Sequence, residues 1–192
     1  MMSPLTTTEQ EHLLGRRVEH LLDDDDRAGF RGRRCLITGA AGSIGSELAR
    51  TVAACAPAHL TLVDQSEYGL FRLQQQLREQ SPSLSFEVAL ADVTRPSSMA
   101  RVVGRSRPEF VFHAAAYKHV SMAETAACAA ARVNVLGTAE VLAALQQTEA
   151  SFVLVSSDKA ASPRGVMGAT KRLAELVTLA SESPMVTPMV VR

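Results

Sequence analysis

No excess of charge of either sign marks this chain: 20 lysines and arginines face 20 aspartates and glutamates, for a formal net charge of +0. Without a basic excess there is no electrostatic means of holding nucleic acid, and that class of partner is set aside. Long apolar runs are lacking as well. No stretch reads as long enough to span a bilayer. The segment Met1 to Glu9 is polar and has no signal-peptide core. Cysteine is scarce, and Cys35, Cys55 and Cys128 are odd in number and widely spaced. This excludes a disulfide framework, and no metal site is expected. Three small buried hydrophobes in a reducing, cytoplasmic compartment are expected instead.

What is present suffices for one folded unit. Hydrophobic residues make up 46% and charged residues 21% of 192 positions, enough apolar surface for a core. The organising stretch is Arg34 to Arg50. Cys35 to Thr38 is an apolar run of strand length. Gly39, Gly42 and Gly45 follow in a glycine turn, and Ile44, Leu48 and Val52 then repeat at helical spacing. Strand, glycine turn and helix form the phosphate-binding corner of a dinucleotide fold. Gly39 allows the sharp turn, Gly42 the approach of a pyrophosphate, and Gly45 close packing of helix on strand. The N–H groups around Ser43 and Ile44 then face the phosphates.

Residues 1–33 read as a helical lead-in and linker, and 34–192 as the dinucleotide-binding domain. Leu13, Leu14, Val18, Leu21 and Leu22 offer one weak amphipathic face. The run Asp23 to Asp26 breaks that pattern and reads as a solvated linker or helix end. Gly29, Gly32 and the neighbouring arginines mark the boundary. Beyond it, strands and helices alternate. Further strands are expected at His59–Asp64, Phe86–Ala91, Glu109–Ala114, Phe152–Ser156 and Val186–Val191. Helices are expected at Glu67–Gln80, Ser97–Gly104, Ala123–Gln147 with an interruption near Arg132–Asn134, and Val166–Ser181. This alternation implies an α/β fold, a Rossmann-type doubly wound parallel sheet in strand order 3-2-1-4-5-6. Ligand sites would lie at the carboxyl ends of its strands.

Candidate site residues fall at those ends. Asp64 closes the second strand, roughly 20 residues past the glycine turn, where an acid binds the adenine ribose. With Gln65 next to it rather than an arginine, NAD is favoured over NADP. A helix cap for the segment near Ser66 is the other reading, and the two are compatible. Asp92 and Val93 close the third strand, as an adenine contact or an ordinary turn. His113 closes the fourth, and Ala114, Ala115 and Ala116 let the backbone run under a cofactor. His113 and His119 lack metal-ligand spacing, so His113 reads as structural. Ser157, Asp158 and Lys159 leave the fifth strand, and Lys171 on the next helix can reach back toward the nicotinamide ribose. A hydroxyl, an acid and an amine at that place suit hydride and proton transfer. The plainer reading is a capped helix start with solvated lysines.

Three motifs carry a family resemblance: His113-Ala114-Ala115-Ala116-Tyr117-Lys118-His119-Val120, Ser156-Ser157-Asp158-Lys159 and Val166-Met167-Gly168-Ala169-Thr170-Lys171-Arg172. With the glycine turn, Asp64 and Asn134–Thr138, they resemble the extended short-chain dehydrogenase/reductases. More narrowly they are similar to the CapD-like polysaccharide-biosynthesis family of nucleotide-sugar 4,6-dehydratases. The resemblance covers about residues 11 to 192, including Leu13 to Arg16. It implies NAD as cofactor and a UDP-linked N-acetylhexosamine as substrate, in bacterial surface polysaccharide or glycan synthesis. The family's reaction oxidises carbon 4, eliminates water across carbons 5 and 6, and returns hydride to carbon 6. By resemblance Lys159 is the base at carbon 5, Asp158 the acid for the departing hydroxyl, and Ser157 a hydrogen-bond donor to the carbon 4 oxygen. Lys171 would bind the ribose and, by its charge, lower the pKa of a nearby acid. Lys118 and Asn134 would touch substrate.

Two departures stand out. Met167 occupies the usual place of the catalytic tyrosine and cannot transfer a proton, which leaves the base for the carbon 4 hydroxyl open. The chain also stops at Arg192, ahead of the family's substrate lobe, so the uridine and much of the sugar pocket are expected to be missing. Long family members are anchored in the inner membrane with this domain in the cytoplasm, but no span is expected here. Homo-oligomer formation stays open. A UDP-sugar 4-epimerase is the runner-up, disfavoured because an epimerase does not need the Asp158–Lys159 acid and base. A truncated cofactor-binding module without turnover is the third reading.

Overall fold

The computed structural model describes residues 6–15, 22–181 and 183–192. Val18 and Leu21 of the expected apolar face lie outside the described residues, as does Arg16. Helix α1 (Thr7–Leu14) starts on Thr6, whose hydroxyl accepts the Glu9 N–H while the Glu9 carboxylate accepts that of Thr6. It ends at Gly15, and Leu13 on it is exposed. Helix α2 (Asp24–Phe30) starts on Asp23, which accepts the Asp26 N–H at 2.8 Å. The four adjacent aspartates therefore open a helix, where their charge complements the positive end of the backbone dipole. Gly29, expected to mark a boundary, lies inside α2. Phe30 ends α2 and meets Phe110 edge-on at 5.0 Å.

From there the chain runs β1 (Arg34–Thr38), α3 (Ser43–Ala53), β2 (His59–Asp64), α4 (Glu67–Gln80), β3 (Phe86–Leu90), α5 (Pro96–Ser106), β4 (Phe110–His113), α6 (Val120–Thr125) and α7 (Ala127–Ala131). A π-helical turn (Arg132–Leu136) leads into α8 (Gly137–Ala144), then β5 (Ala150–Val155), α9 (Val166–Leu179) and β6 (Val186–Val191). All six strands are parallel, in the order β3-β2-β1-β4-β5-β6. This is the Rossmann-type arrangement the alternation implied.

Period-two alternation explains how β1 joins two cores. Cys35 and Ile37 face α3 and α4, packing with Ala49, Val52, Leu70, Leu73 and Leu77. Leu36 faces α5 and α8, among Val102, Val103, Val141, Leu142 and Leu145. Each central strand is thus apolar on both faces, as a sheet covered by helices on both sides requires. Truncating one such side chain, as in Leu62→Ala, would cost about 2–5 kcal/mol.

Several expectations need correction. The long helix expected over 123–147 is divided. Ala126 leaves helical geometry at φ −130° and ψ 50°, and the π-helical turn follows at the anticipated interruption. The 18-residue run Ala127–Ala144 is long and apolar enough by composition to cross a bilayer, contrary to expectation. In this fold it packs on α5 and α9 and buries the polar Asn134 and Thr138. Cys35 and Cys55 are buried, but Cys128 is exposed because it lies on the outer side of α7.

Candidate active site

The three glycines do different work. Gly39 sits at φ +67°, and a Cβ there would stand 2.5 Å from the Ala115 nitrogen. The exits of β1 and β4 can touch only because that carbon is missing. A Cβ on Gly45 would overlap the Gly39 carbonyl oxygen, so its absence lets α3 descend onto the turn. Gly42 is exposed, and a Cβ there would meet only Gly39 O, at 3.1 Å. Helix α3 begins at Gly42 with no side-chain cap. Its first N–H groups, at Ser43, Ile44 and Gly45, are oriented as an anion site requires. Ile44 is 51% exposed and lines the cleft instead of joining the buried face of α3, which consists of Gly45, Ala49, Val52 and Ala53.

One cleft gathers this turn with Asp64, Asp92, Val93 and Ala114 to Lys118. Asp64 accepts the Ala41 N–H on Oδ2 and the Ser66 N–H on Oδ1, each at 2.9 Å. It stitches the glycine turn to the exit of β2 and keeps lone pairs for a ligand. The cap of α4 is Ser66, which accepts the Gly69 N–H. Asp92 closes a turn by accepting the Thr94 N–H at 2.9 Å while still lining the cleft. Lys118, expected on the substrate, instead donates to Ser43 Oγ at 3.2 Å. That contact puts its charge beside the uncapped start of α3.

Asn134, the other expected substrate contact, is 1% exposed. Its Oδ1 accepts the Tyr117 N–H at 2.7 Å, and its Nδ2 donates to Tyr117 O and Thr170 Oγ1. It brackets the loop after β4 to α9 and has no face left for substrate. His113 is fully buried between Thr38 and Thr138 hydroxyls. Burial, helped by the Lys171 charge, pushes its pKa down to about 3, so it is a neutral structural group.

Ser157, Asp158 and Lys159 leave β5 at the same end of the sheet as the cleft, one strand beyond Ala114 to Ala116. Ser157 Oγ donates to Asp158 Oδ1 at 2.9 Å, and Lys159 Nζ lies 3.1 Å from the same oxygen. The Ser157 hydrogen bond first, then Lys159, hold the Asp158 carboxyl below the usual range. Lys159, the base at carbon 5 by resemblance, has a side chain that is 55% exposed and paired with a carboxylate. Lys171 is the buried amine. It donates to Val155 O at 2.6 Å, and burial, opposed by Glu175, lowers its pKa to about 8. Met167 packs with Ala123 and Ala130 as a core residue.

Sequence reasoning missed the cluster behind Lys171. Glu175, 1% exposed, accepts Ser156 Oγ at 2.6 Å, Arg172 Nη1 at 2.9 Å and two donors from Arg192. Its spacing of four from Lys171 was the available signal, because Lys171 and Glu175 must share a helix face.

A parallel sheet in this order, with a glycine cradle at the strand exits that a Cβ would fill, defines the Rossmann-type class of the short-chain dehydrogenase/reductases. Residues 35–192 match the polysaccharide biosynthesis protein family. The chain belongs to that family. It is 38% identical over 175 residues to the capsular polysaccharide biosynthesis protein CapD of Staphylococcus aureus, covering 90% of this chain but only 29% of that protein. Among solved structures, Pen from Bacillus thuringiensis matches with a TM-score of 0.77 at 29% identity, over 85% of this chain and 52% of that one. DesIV from Streptomyces venezuelae, a dTDP-glucose 4,6-dehydratase solved as a double mutant with NAD and DAU bound, matches with a TM-score of 0.65 at 26% identity. That match covers 77% of this chain and 51% of DesIV.

Proposed function

We propose that this chain is the catalytic Rossmann unit of an NAD-dependent nucleotide-sugar 4,6-dehydratase acting on a UDP-linked N-acetylhexosamine. The observation that carries the reading is the hydrogen-bonded Ser157–Asp158–Lys159 group one strand from the glycine cradle. The bare cradle fits a pyrophosphate, Lys118 adds a cation beside it, and the Asp64 carboxylate fits ribose hydroxyls. When bound, NAD supplies the hydride acceptor and donor. In the free chain Asp158 is held ionised by Ser157 and Lys159. A dehydratase needs the reverse, a neutral amine and a carboxylic acid. One proton moving from Lys159 Nζ to Asp158 Oδ1 across 3.1 Å produces both forms together. Exclusion of water by a bound sugar favours that transfer, because it removes solvation from two charges at once. Lys159 then takes the carbon 5 proton and Asp158 protonates the departing carbon 6 hydroxyl. Ser157 donates to the carbon 4 oxygen. Incubation with UDP-N-acetylglucosamine and NAD, read by mass spectrometry, tests this. Loss of one water supports the dehydratase, whereas an isobaric 4-epimer would select the epimerase.

A further inference from the structure

We infer that Glu175 is a positioning residue that acts through Ser156 to set the Ser157–Asp158–Lys159 group; the inference deepens the reading proposed above and rests on it for the meaning of that group. Helix α9 turns Lys171 and Glu175, one helical turn apart, toward the exit of β5. Each makes one short polar contact there. Lys171 Nζ donates to the carbonyl of Val155, the last strand residue, at 2.6 Å, and Ser156 Oγ donates to Glu175 Oε1, also at 2.6 Å. The Ser156 N–H donates to Val191 O of β6 at 2.7 Å. Ser156 is thereby held on two sides, and the next residue begins the reactive group.

The same carboxylate accepts Arg172 Nη1 at 2.9 Å and Arg192 Nε and Nη2 at 2.9 and 2.7 Å. It therefore ties α9 to the exits of β5 and β6. Glu175 carries fold stability as well, because removing this one partner leaves the Arg172 and Arg192 charges without their carboxylate. An apolar residue in its place cannot fix the direction of the Ser156 side chain. A hydrogen bond to a charged group does so, with an energy of about 1.5–3 kcal/mol and a narrow geometry.

The test uses the whole chain, labelled with nitrogen-15, and compares wild type with Ser156→Ala, Ser156→Thr and Glu175→Gln. Amide exchange is followed at Ser156, Lys159 and Ala160, whose N–H groups donate to Val191 O, Ser157 Oγ and Ser157 O. Ser156→Ala should leave the melting temperature within a few degrees and raise exchange at these amides by about 10-fold or more. Ser156→Thr, which keeps the hydroxyl, should restore protection. Addition of NAD should shift the Gly42 to Gly45 amides alike in all folded variants. It should shift Ser157 to Lys159 fully only in wild type and Ser156→Thr. Wild-type exchange and wild-type NAD shifts at Ser157 to Lys159 in Ser156→Ala would overturn the inference. So would Ser156→Thr behaving as Ser156→Ala does. If Glu175→Gln fails to fold, the two Ser156 variants decide alone. Absence of any NAD shift in wild type would count against the cofactor reading, while the exchange comparison, which needs no cofactor, still judges Glu175.

Discussion

Replacing Gly42 by valine separates binding from folding. A Cβ at Gly42 meets a single atom, the Gly39 carbonyl oxygen, at 3.1 Å, and the site is open to solvent. The turn must yield by a few tenths of an ångström, so the folding cost should stay near 1 kcal/mol, a melting shift of roughly 2–4 °C for a chain of this size. The branched side chain, however, stands over the uncapped start of α3. A pyrophosphate kept from that helix end loses charge-assisted hydrogen bonds of about 1.5–3 kcal/mol each. Two such bonds correspond to a loss of affinity of more than about 100-fold. Gly45→Ala is the contrasting variant. Its Cβ would overlap the Gly39 backbone, which cannot swing aside, so stability should fall by several kcal/mol whether or not cofactor is present. Calorimetric titration with NAD and thermal unfolding of both variants give the answer. A folded Gly42→Val protein that binds NAD as wild type does would refute the assignment of the cradle to phosphate.

Three further outcomes are expected. NAD should bind at least about 10-fold more tightly than NADP, because Asp64 would face the extra phosphate; equal affinities in parallel titrations would remove Asp64 from the ribose site. The Glu175 pKa, lowered to about 2 by Arg192 first and then by Ser156 and Arg172, makes stability fall with acid. Its folded value lies below the usual ~4.3, so the contribution is complete above about pH 4.3 and is lost as pH falls toward 2, in total of the order of 3 kcal/mol. Urea melts should show Glu175→Gln losing less stability than wild type across that window, and parallel slopes would contradict the linkage. Asn134→Ala should lower the melting temperature by roughly 4–8 °C, since it strands Tyr117 N–H and C=O inside the fold; an unchanged melt would mean that the bracket carries no energy.

The parts of this fold that were legible from the chain are those fixed by local pattern. β2, α4 and β6 occupy the expected residues because each is an apolar or periodic run bounded by breakers such as Pro57, Pro82 and Pro184. The glycine turn was legible because a backbone requirement at Gly39 and Gly45 leaves little choice of residue type. What escaped was set by partners distant in sequence. Asn134 looks like a surface polar residue until the backbone of Tyr117, 17 residues earlier, folds against it. Glu175 carries no local sign of its partners, yet it faces inward and finds its cations in Arg172 and Arg192. The exposure of Lys159 was not legible either, because no local pattern specifies the exposure of a loop residue.

The most direct test of the account is deuterium incorporation at carbon 5 of the sugar in heavy water, comparing wild type with Lys159→Met, both in a version extended to include the family's substrate lobe, in the presence of NAD and UDP-N-acetylglucosamine. The account predicts that wild type forms dehydrated product carrying deuterium at carbon 5. The variant should form some reduced cofactor, observed by absorbance, with neither exchange nor loss of water. Normal exchange and normal dehydration by Lys159→Met would contradict the role given to Lys159 and, with it, the reading of the Ser157–Asp158–Lys159 group.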